Sequence, residues 1–255
     1  MDPVRVATER GVTTVTLCDV ENRNALGGAM VQGIYDALTA ANEDTSVRAV
    51  LITNEGNTFC AGANLKEQSG AAKGTHSNVG FEELLHAIQV SPTPVVGRIA
   101  GHVVGGGNGL ASALDVSIAA EDVKFGFTEV RLGVAPAIIS VVCLPKMRQG
   151  EAMEAFLRGN RFPASRAAEL GLINRAVPAD QLDAAVEEVL ADLRKGGPNA
   201  LAFSKRLVYE VPAMGQKQAF QWTAKHSAKL FAGEEAAAGV KAFLSKTPAP
   251  WAGDD

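Results

Sequence analysis

The segment GHVVGGGNGL, residues 101–110, holds five glycines in ten positions, three of them consecutive at Gly105–Gly107. Glycine inside a helix or strand costs about 0.5–1 kcal/mol relative to alanine, so a backbone this bare has to serve something. A dinucleotide fingerprint starting at Gly105 needs another glycine at position 110, where Leu110 stands. A phosphate-cradling P-loop needs Gly-Lys-Ser/Thr at its end, and none follows. Both phosphate chemistries fail on spacing. An oxyanion hole fits: bare N–H groups at a helix N-terminus, aimed at a carbonyl oxygen that gains negative charge. Close packing of a helix on a strand also asks for small residues, and the glycines alone do not separate these two uses. A second segment favours the oxyanion hole. NTFCAGANLKE (57–67) contains another bare stretch, Ala61-Gly62-Ala63, which can offer a backbone N–H to the same oxygen. Metal chemistry finds no support, with four histidines, no HExxH and no cysteine cluster.

The elements that must hold these turns follow from pattern. Residues 3–18 alternate apolar and polar around Gly11 and read as a β-hairpin. Met30, Ile34, Ala37, Leu38 and Ala41 recur at helical spacing. VRAVLITN (47–54), PVVGRIA (94–100) and LDVSIAA (114–120) are short apolar runs typical of strands buried on both faces. The glycine segment between the last two opens a helix, Gly107–Ala113. Strands alternating with helices predict an α/β fold with partly parallel strands. Further on, Leu182 to Leu193 mark a helix that Asp180 is placed to cap. Residues 199–210 and 216–244 are also helical in pattern. Residues 66–80 are polar and rich in Gly, Ser and Lys, the composition of a mobile lid loop, and the tail TPAPWAGDD has the composition of a poorly ordered end.

Composition bounds the function. The 255 residues are 47% hydrophobic and 20% charged, with net charge −4 and no basic run, which disfavours a nucleic-acid partner. No apolar run approaches the ~20 residues that span a bilayer, and MDPVRVATERG lacks a signal-peptide pattern. Three scattered cysteines without CxxC predict reduced thiols and a cytoplasmic protein.

Taken in register, FCAGANLKE (59–67), GHVVGGGNGL (101–110) and FGFTEVRLGVAP (125–136) resemble the enoyl-CoA hydratase/isomerase family, also called crotonases. The resemblance runs from the hairpin to GVKAFLSKTPAPW (239–251). It implies a crotonase-like spiral of ββα units over residues 1–195. It also implies a helical region, 196–255, that builds homotrimers and commonly a dimer of trimers, a hexamer. The implied substrate is an acyl-CoA thioester; coenzyme A arrives with it, and no separate cofactor is expected. Carried over residue by residue, the oxyanion donors are the N–H groups of Ala63 and Gly106, and the proton-transferring carboxyl is Glu129. The backbones of Ala25, Ala61 and Leu65, with Arg23 toward a phosphate, form the implied CoA groove. Phe243 and Lys246 match a pair that in relatives often touches CoA from a neighbouring subunit. Asn64 stands where the family more often has Asp.

One position departs from the family. Hydratases typically carry a second glutamate two positions after the triple glycine, and here that position is Gly109. PAIIS (136–140) stands where two-glutamate enzymes have PGxGG, which resembles a bacterial branch classed with hydratases of the methylglutaconyl-CoA type. Three readings remain at this stage. A hydratase can use Glu129 alone or with an acid from Glu67, Glu82 or Glu83. A Δ3,Δ2-enoyl-CoA isomerase needs one carboxyl only. A CoA-ester-binding or scaffold protein needs none. Asn108 does not replace the glutamate, because an adjacent helix position points about 100° away. Other residues have structural expectations: a neutral His102, no ligand pairing of His76 with His86, Trp222 in an interface core, Met153 and Phe156 in helix packing, and a hydrogen-bonded Asp115.

Overall fold

The computed structural model describes residues 2–71 and 77–252. A hairpin opens the chain: β1 (Val4–Glu9) pairs antiparallel with β2 (Val12–Leu17) through a turn in which Arg10 and Gly11 both take positive φ. Helix α1 (Gly28–Glu43) then buries Met30, Val31, Ile34, Ala37, Leu38 and Ala41, the face its apolar spacing defines.

From here the chain repeats one motif, a strand in a large sheet followed at once by a strand in a smaller sheet, then helix. The first turn is β3 (Ala49–Asn54), β4 (Thr58–Cys60), the short α2 (Leu65–Gln68) and α3 (Phe81–Val90). The second is β5 (Val95–Ile99), β6 (His102–Val104) and α4 (Gly106–Ala113). The third is β7 (Val116–Ala120), β8 (Lys124–Gly126), a 3-10 turn over Glu129–Leu132 and α5 (Ala137–Cys143). After α6 (Gln149–Arg158) come β9 (Arg161–Pro163), α7 (Ala164–Glu169), β10 (Arg175–Val177) and α8 (Leu182–Lys195). The large sheet has the order β1-β2-β3-β5-β7-β10, parallel from β2 onward; the small one is β4-β6-β8-β9, with only β9 antiparallel. Successive turns of the spiral therefore stack the loops after β4, β6 and β8 at one end of the small sheet. Gly101, at the corner between β5 and β6, must be small: a Cβ there would lie 2.6 Å from the Thr58 and Phe59 nitrogens.

Three further helices follow, α9 (Pro198–Glu210), α10 (Gln216–Phe231) and α11 (Glu234–Ser245). Helix α9 is tied inward by Lys205, whose Nζ lies 2.8 Å from Asp115 Oδ2 and donates to Ile88 O at 2.7 Å. Asp115 also accepts from Val95 N–H at 2.7 Å, the structural hydrogen bonding expected of it.

Four local expectations are corrected. Asp180 does not cap α8; it lies in a 3-10 turn, and Gln181 occupies the cap position without a side-chain bond. Residues 216–244 form two helices, broken at Ala232–Gly233. Met153 is exposed rather than packed. The tail, as far as residue 252, is docked through Trp251, whose Nε1 donates to Lys195 O at 3.0 Å while its ring covers Gly239. His76 and the middle of the polar 66–80 segment lie outside the described residues; that segment begins as α2.

Candidate active site

The two bare turns abut. Gly62 takes φ +84°, and a Cβ on it would lie 2.8 Å from Gly106 N and 2.9 Å from Val104 O. A Cβ on Gly106 would lie 3.4 Å from Gly62 Cα and 3.6 Å from Ala63 N. Gly105, with φ 55° and ψ −128°, occupies a conformation essentially closed to residues with a Cβ. That backbone reverses the chain so that α4 begins at Gly106 with its first N–H groups leading. Neither Ala63 N–H nor Gly106 N–H is taken up by a hydrogen bond among the described residues. Unspent donors at a helix start can stabilise an anionic oxygen.

Glu129 stands over this junction. Its Oε1 lies 3.6 Å from the point a Gly105 Cβ would occupy. Its Oε2 is buried without a hydrogen-bond partner. Burial raises the carboxyl pKa above the ordinary glutamate value, opposed only by a backbone hydrogen bond. The sequence also allows pairing with Arg131, but no ion pair joins the two among the described residues. A half-buried carboxyl with an unsatisfied oxygen beside two free N–H donors is equipped to take up and release a proton next to a polarised carbonyl.

Asn108, 1% exposed, holds the arrangement together. Its Nδ2 donates to Gly105 O at 3.0 Å and to Gly126 O at 2.9 Å, while Gly105 N–H also donates to Gly126 O at 2.9 Å. The glycine turn is thereby tied to the strand that leads to Glu129. Nothing in the spacing signalled this role. Gly109, one residue on, faces α5: a Cβ there would lie 2.7 Å from Ile139 Cβ, with Ile139 Cγ2 nearer still.

Residues 7–254 match the family described as enoyl-CoA hydratase/isomerase. The chain belongs to that family. A Thermus thermophilus protein named as a candidate enoyl-CoA hydratase is 31% identical over 249 residues, covering 95% of this chain and 98% of its own. Pseudomonas aeruginosa AtuE is similar in structure, with TM-score 0.90 and 33% identity over 98% of this chain and all of its own. An enoyl-CoA hydratase/isomerase from Marinobacter aquaeolei gives TM-score 0.90 at 27% identity, covering 99% and 100%. The spiral with its helical C-terminal segment is thus the crotonase fold.

Within this family member, the loop 22–26 and the turn 61–65 run side by side. Ala61 N–H donates to Arg23 O at 3.1 Å and Leu26 N–H to Gly62 O at 2.8 Å. Arg23 is exposed and, like Asn24, adopts positive φ; Asn24 Nδ2 anchors the loop by donating to Thr58 O at 2.7 Å. Ala25 and Ala61 are half-buried, while Ala63 and Leu65 are exposed. Asn64 caps α2, and its Nδ2 donates to Glu67 Oε1 at 2.9 Å. Glu67 Oε2 in turn accepts from Gly28 N–H at 3.3 Å, at the start of α1. Of the three candidate second acids, Glu67 is therefore engaged in holding α2 against α1. Glu83 accepts from Gly80 N–H at 2.8 Å as a cap of α3, and the Glu82 carboxyl folds back over Gly80.

Phe243 is 82% exposed on α11, which packs on α10, and Lys246 ends that helix in a left-handed conformation. No hydrogen bond or ion pair among the described residues links either to the junction at Gly105. His102 Nδ1 accepts from Lys124 N–H at 3.1 Å, the bonding of a neutral ring. Phe156 packs on Phe127 and Trp222 on Phe203 and His226. Burial pushes the Cys60 and Cys143 thiols up to about 12, which makes them inert rather than reactive. Among the described residues, no cluster of His, Cys, Asp and Glu is arranged to hold a metal, and no helix is long and apolar enough to cross a membrane.

Proposed function

We propose that the protein adds water across the 2,3 double bond of a 2-enoyl-CoA thioester. The observation that carries this reading is the place of Glu129, whose carboxyl stands over Gly105, one residue from the unspent Gly106 N–H. In the proposed reaction the thioester oxygen accepts hydrogen bonds from Ala63 and Gly106. Glu129, as carboxylate, takes a proton from water while the water oxygen bonds to the β-carbon. The electron pair of the double bond moves toward the carbonyl, giving an enolate held by the two donors. Glu129 then returns the same proton to the α-carbon, and one water is consumed. Losing one such donor typically costs about 2.7–4 kcal/mol in the transition state. A raised pKa suits both halves, since the ionised carboxyl is a stronger base and the protonated one is tolerated by its surroundings.

The proposed CoA contacts are the Ala25, Ala61 and Leu65 backbones and the Arg23 side chain. Phe243 and Lys246 serve a neighbouring subunit's CoA in a trimer or dimer of trimers assembled through residues 196–255. Free Cys18, Cys60 and Cys143 fit a reducing, cytoplasmic setting.

A second reading, Δ3,Δ2-enoyl-CoA isomerisation, is favoured by the crowding at Gly109, which leaves one carboxyl, enough to carry a proton from the α- to the γ-carbon. A binding protein without catalysis has no use for a desolvated carboxyl at this junction. The test is to follow the absorbance of a short and a longer trans-2-enoyl-CoA with wild type and Glu129→Gln. A fall that the variant abolishes supports hydration. Silence on both, with rising absorbance on a 3-enoyl-CoA, replaces hydratase by isomerase.

A further inference from the structure

Helices α4 and α5 meet along a seam made by residues one turn apart. Ile139 covers Gly109, and Cys143, four residues later on the same face of α5, reaches α4 through Sγ contacts of 3.8 Å to Asn108 O and 3.5 Å to Ser112 Oγ. Ile139, Cys143 and Ser112 are all buried. The crowding at Gly109 comes from the Cβ and a branched methyl of Ile139, not from the end of a pliable side chain, and the Ile139 Cα itself stands only 3.5 Å from the same point. A side chain at 109 therefore cannot be accommodated by a rotamer change alone.

We propose that Ile139 is a specificity-determining residue: by occupying the space beside Gly109 it limits this site to one carboxyl, so that every proton transfer runs through Glu129. This rests on the reading of Glu129 as the proton carrier. Gly109 and Ile139 then form one unit, and neither can change usefully without the other.

The experiment is a double-mutant cycle read by melting temperature, with Gly109→Ala, Ile139→Gly and the pair, followed by rates on a short trans-2-enoyl-CoA for Gly109→Glu with and without Ile139→Gly. Gly109→Ala alone is expected to lower the melting temperature by about 5 °C, and by under about 1 °C in the Ile139→Gly background. Gly109→Glu with Ile139→Gly is expected to hydrate about tenfold faster than Gly109→Glu alone. Equal losses in both backgrounds, or a Gly109→Glu protein that folds and gains activity with Ile139 in place, would overturn the proposal. The melting cycle needs no substrate. A wild-type enzyme silent toward 2-enoyl-CoA, with the coupling intact, removes the hydratase reading while the exclusion by Ile139 stands.

Discussion

Helix α4 is treated in opposite ways along its length. At its start, glycine keeps space open: Gly105 provides a backbone conformation closed to other residues, and Gly106 lets the Ala61–Ala63 turn approach within contact of its own backbone. One turn on, at Gly109, the space glycine leaves is filled by Ile139 from α5. Gly107 belongs with the second use, since a Cβ there would lie 2.5 Å from Cys60 O. On the proposed reading, access for a substrate oxygen falls to Gly105 and Gly106, whereas close packing accounts for Gly107 and Gly109. A glycine-rich motif is a mixture of purposes, and only the neighbours in space assign them.

That contrast can be broken or sharpened. The largest effect is expected at the open end, where Glu129→Gln should lower kcat by about 10³-fold while the protein remains folded, checked by steady-state rates and circular dichroism. Gly105→Ala should lower kcat by about 10²-fold and cost about 1–3 kcal/mol in denaturant unfolding. Gly133 makes a useful control, because it also has positive φ (+75°) but meets nothing within 4 Å. Gly133→Ala should show a stability loss without the kinetic one, and equal kinetic losses would refute a special role for the Gly105 turn. Asn108→Ala removes the two side-chain hydrogen bonds to the Gly105 and Gly126 carbonyls, each of which keeps one backbone donor, and should cost about 1–3 kcal/mol, with a fall in kcat larger than any change in KM.

The smallest expected effect is on stability against pH. Burial holds the proton on Glu129, so its folded pKa lies above its unfolded one. Below the unfolded value the group is neutral in both states; as pH rises through the folded value, the buried charge destabilises the fold. Glu129→Gln is always neutral. It should melt slightly above wild type at about pH 8 and level with it near pH 4. The rate has the opposite dependence, because the proposed base must be ionised. The acid limb of kcat/KM should therefore lie above the ordinary glutamate range, and a limb at the ordinary value would remove burial from the account.

Much of this was legible in sequence where the signal is local. The buried strands, the helix opened by the glycines and the bare 61–63 turn follow from patterns a few residues long, whereas Glu129 stood out only through the resemblance to the family. What escaped depends on contacts across the spiral. Ile139 is thirty residues from Gly109, and its meaning appears only when α5 lies on α4. Asn108 gives no periodic signal, since one amide bonding two carbonyls twenty-one residues apart is a tertiary event. Glu67 offered itself as a catalytic acid because sequence shows charge without partners; in the fold that charge sits on the start of α1. Asp180 had a capping residue's type but lay one position early, where the chain still makes a 3-10 turn. The tail looked loose by composition, and in its described part, up to residue 252, a single tryptophan holds it.

The ion pair between Lys205 and Asp115 bears on how firmly α9 belongs to the body of its chain. Burial works against the charge on both partners, lowering the lysine pKa and raising the aspartate pKa, and their proximity offsets it. Such a pair gives little net attraction, yet separating it strands a charge in the interior at a cost of about 3–5 kcal/mol. Helix α9 is therefore bound to the body of its own chain by the penalty for leaving. A fragment ending at residue 195 would keep Asp115 without Lys205, its ion-pair partner, and with Lys146 as the remaining cation nearby. Losing α9 should therefore weaken the body of the chain itself, not only remove a helix.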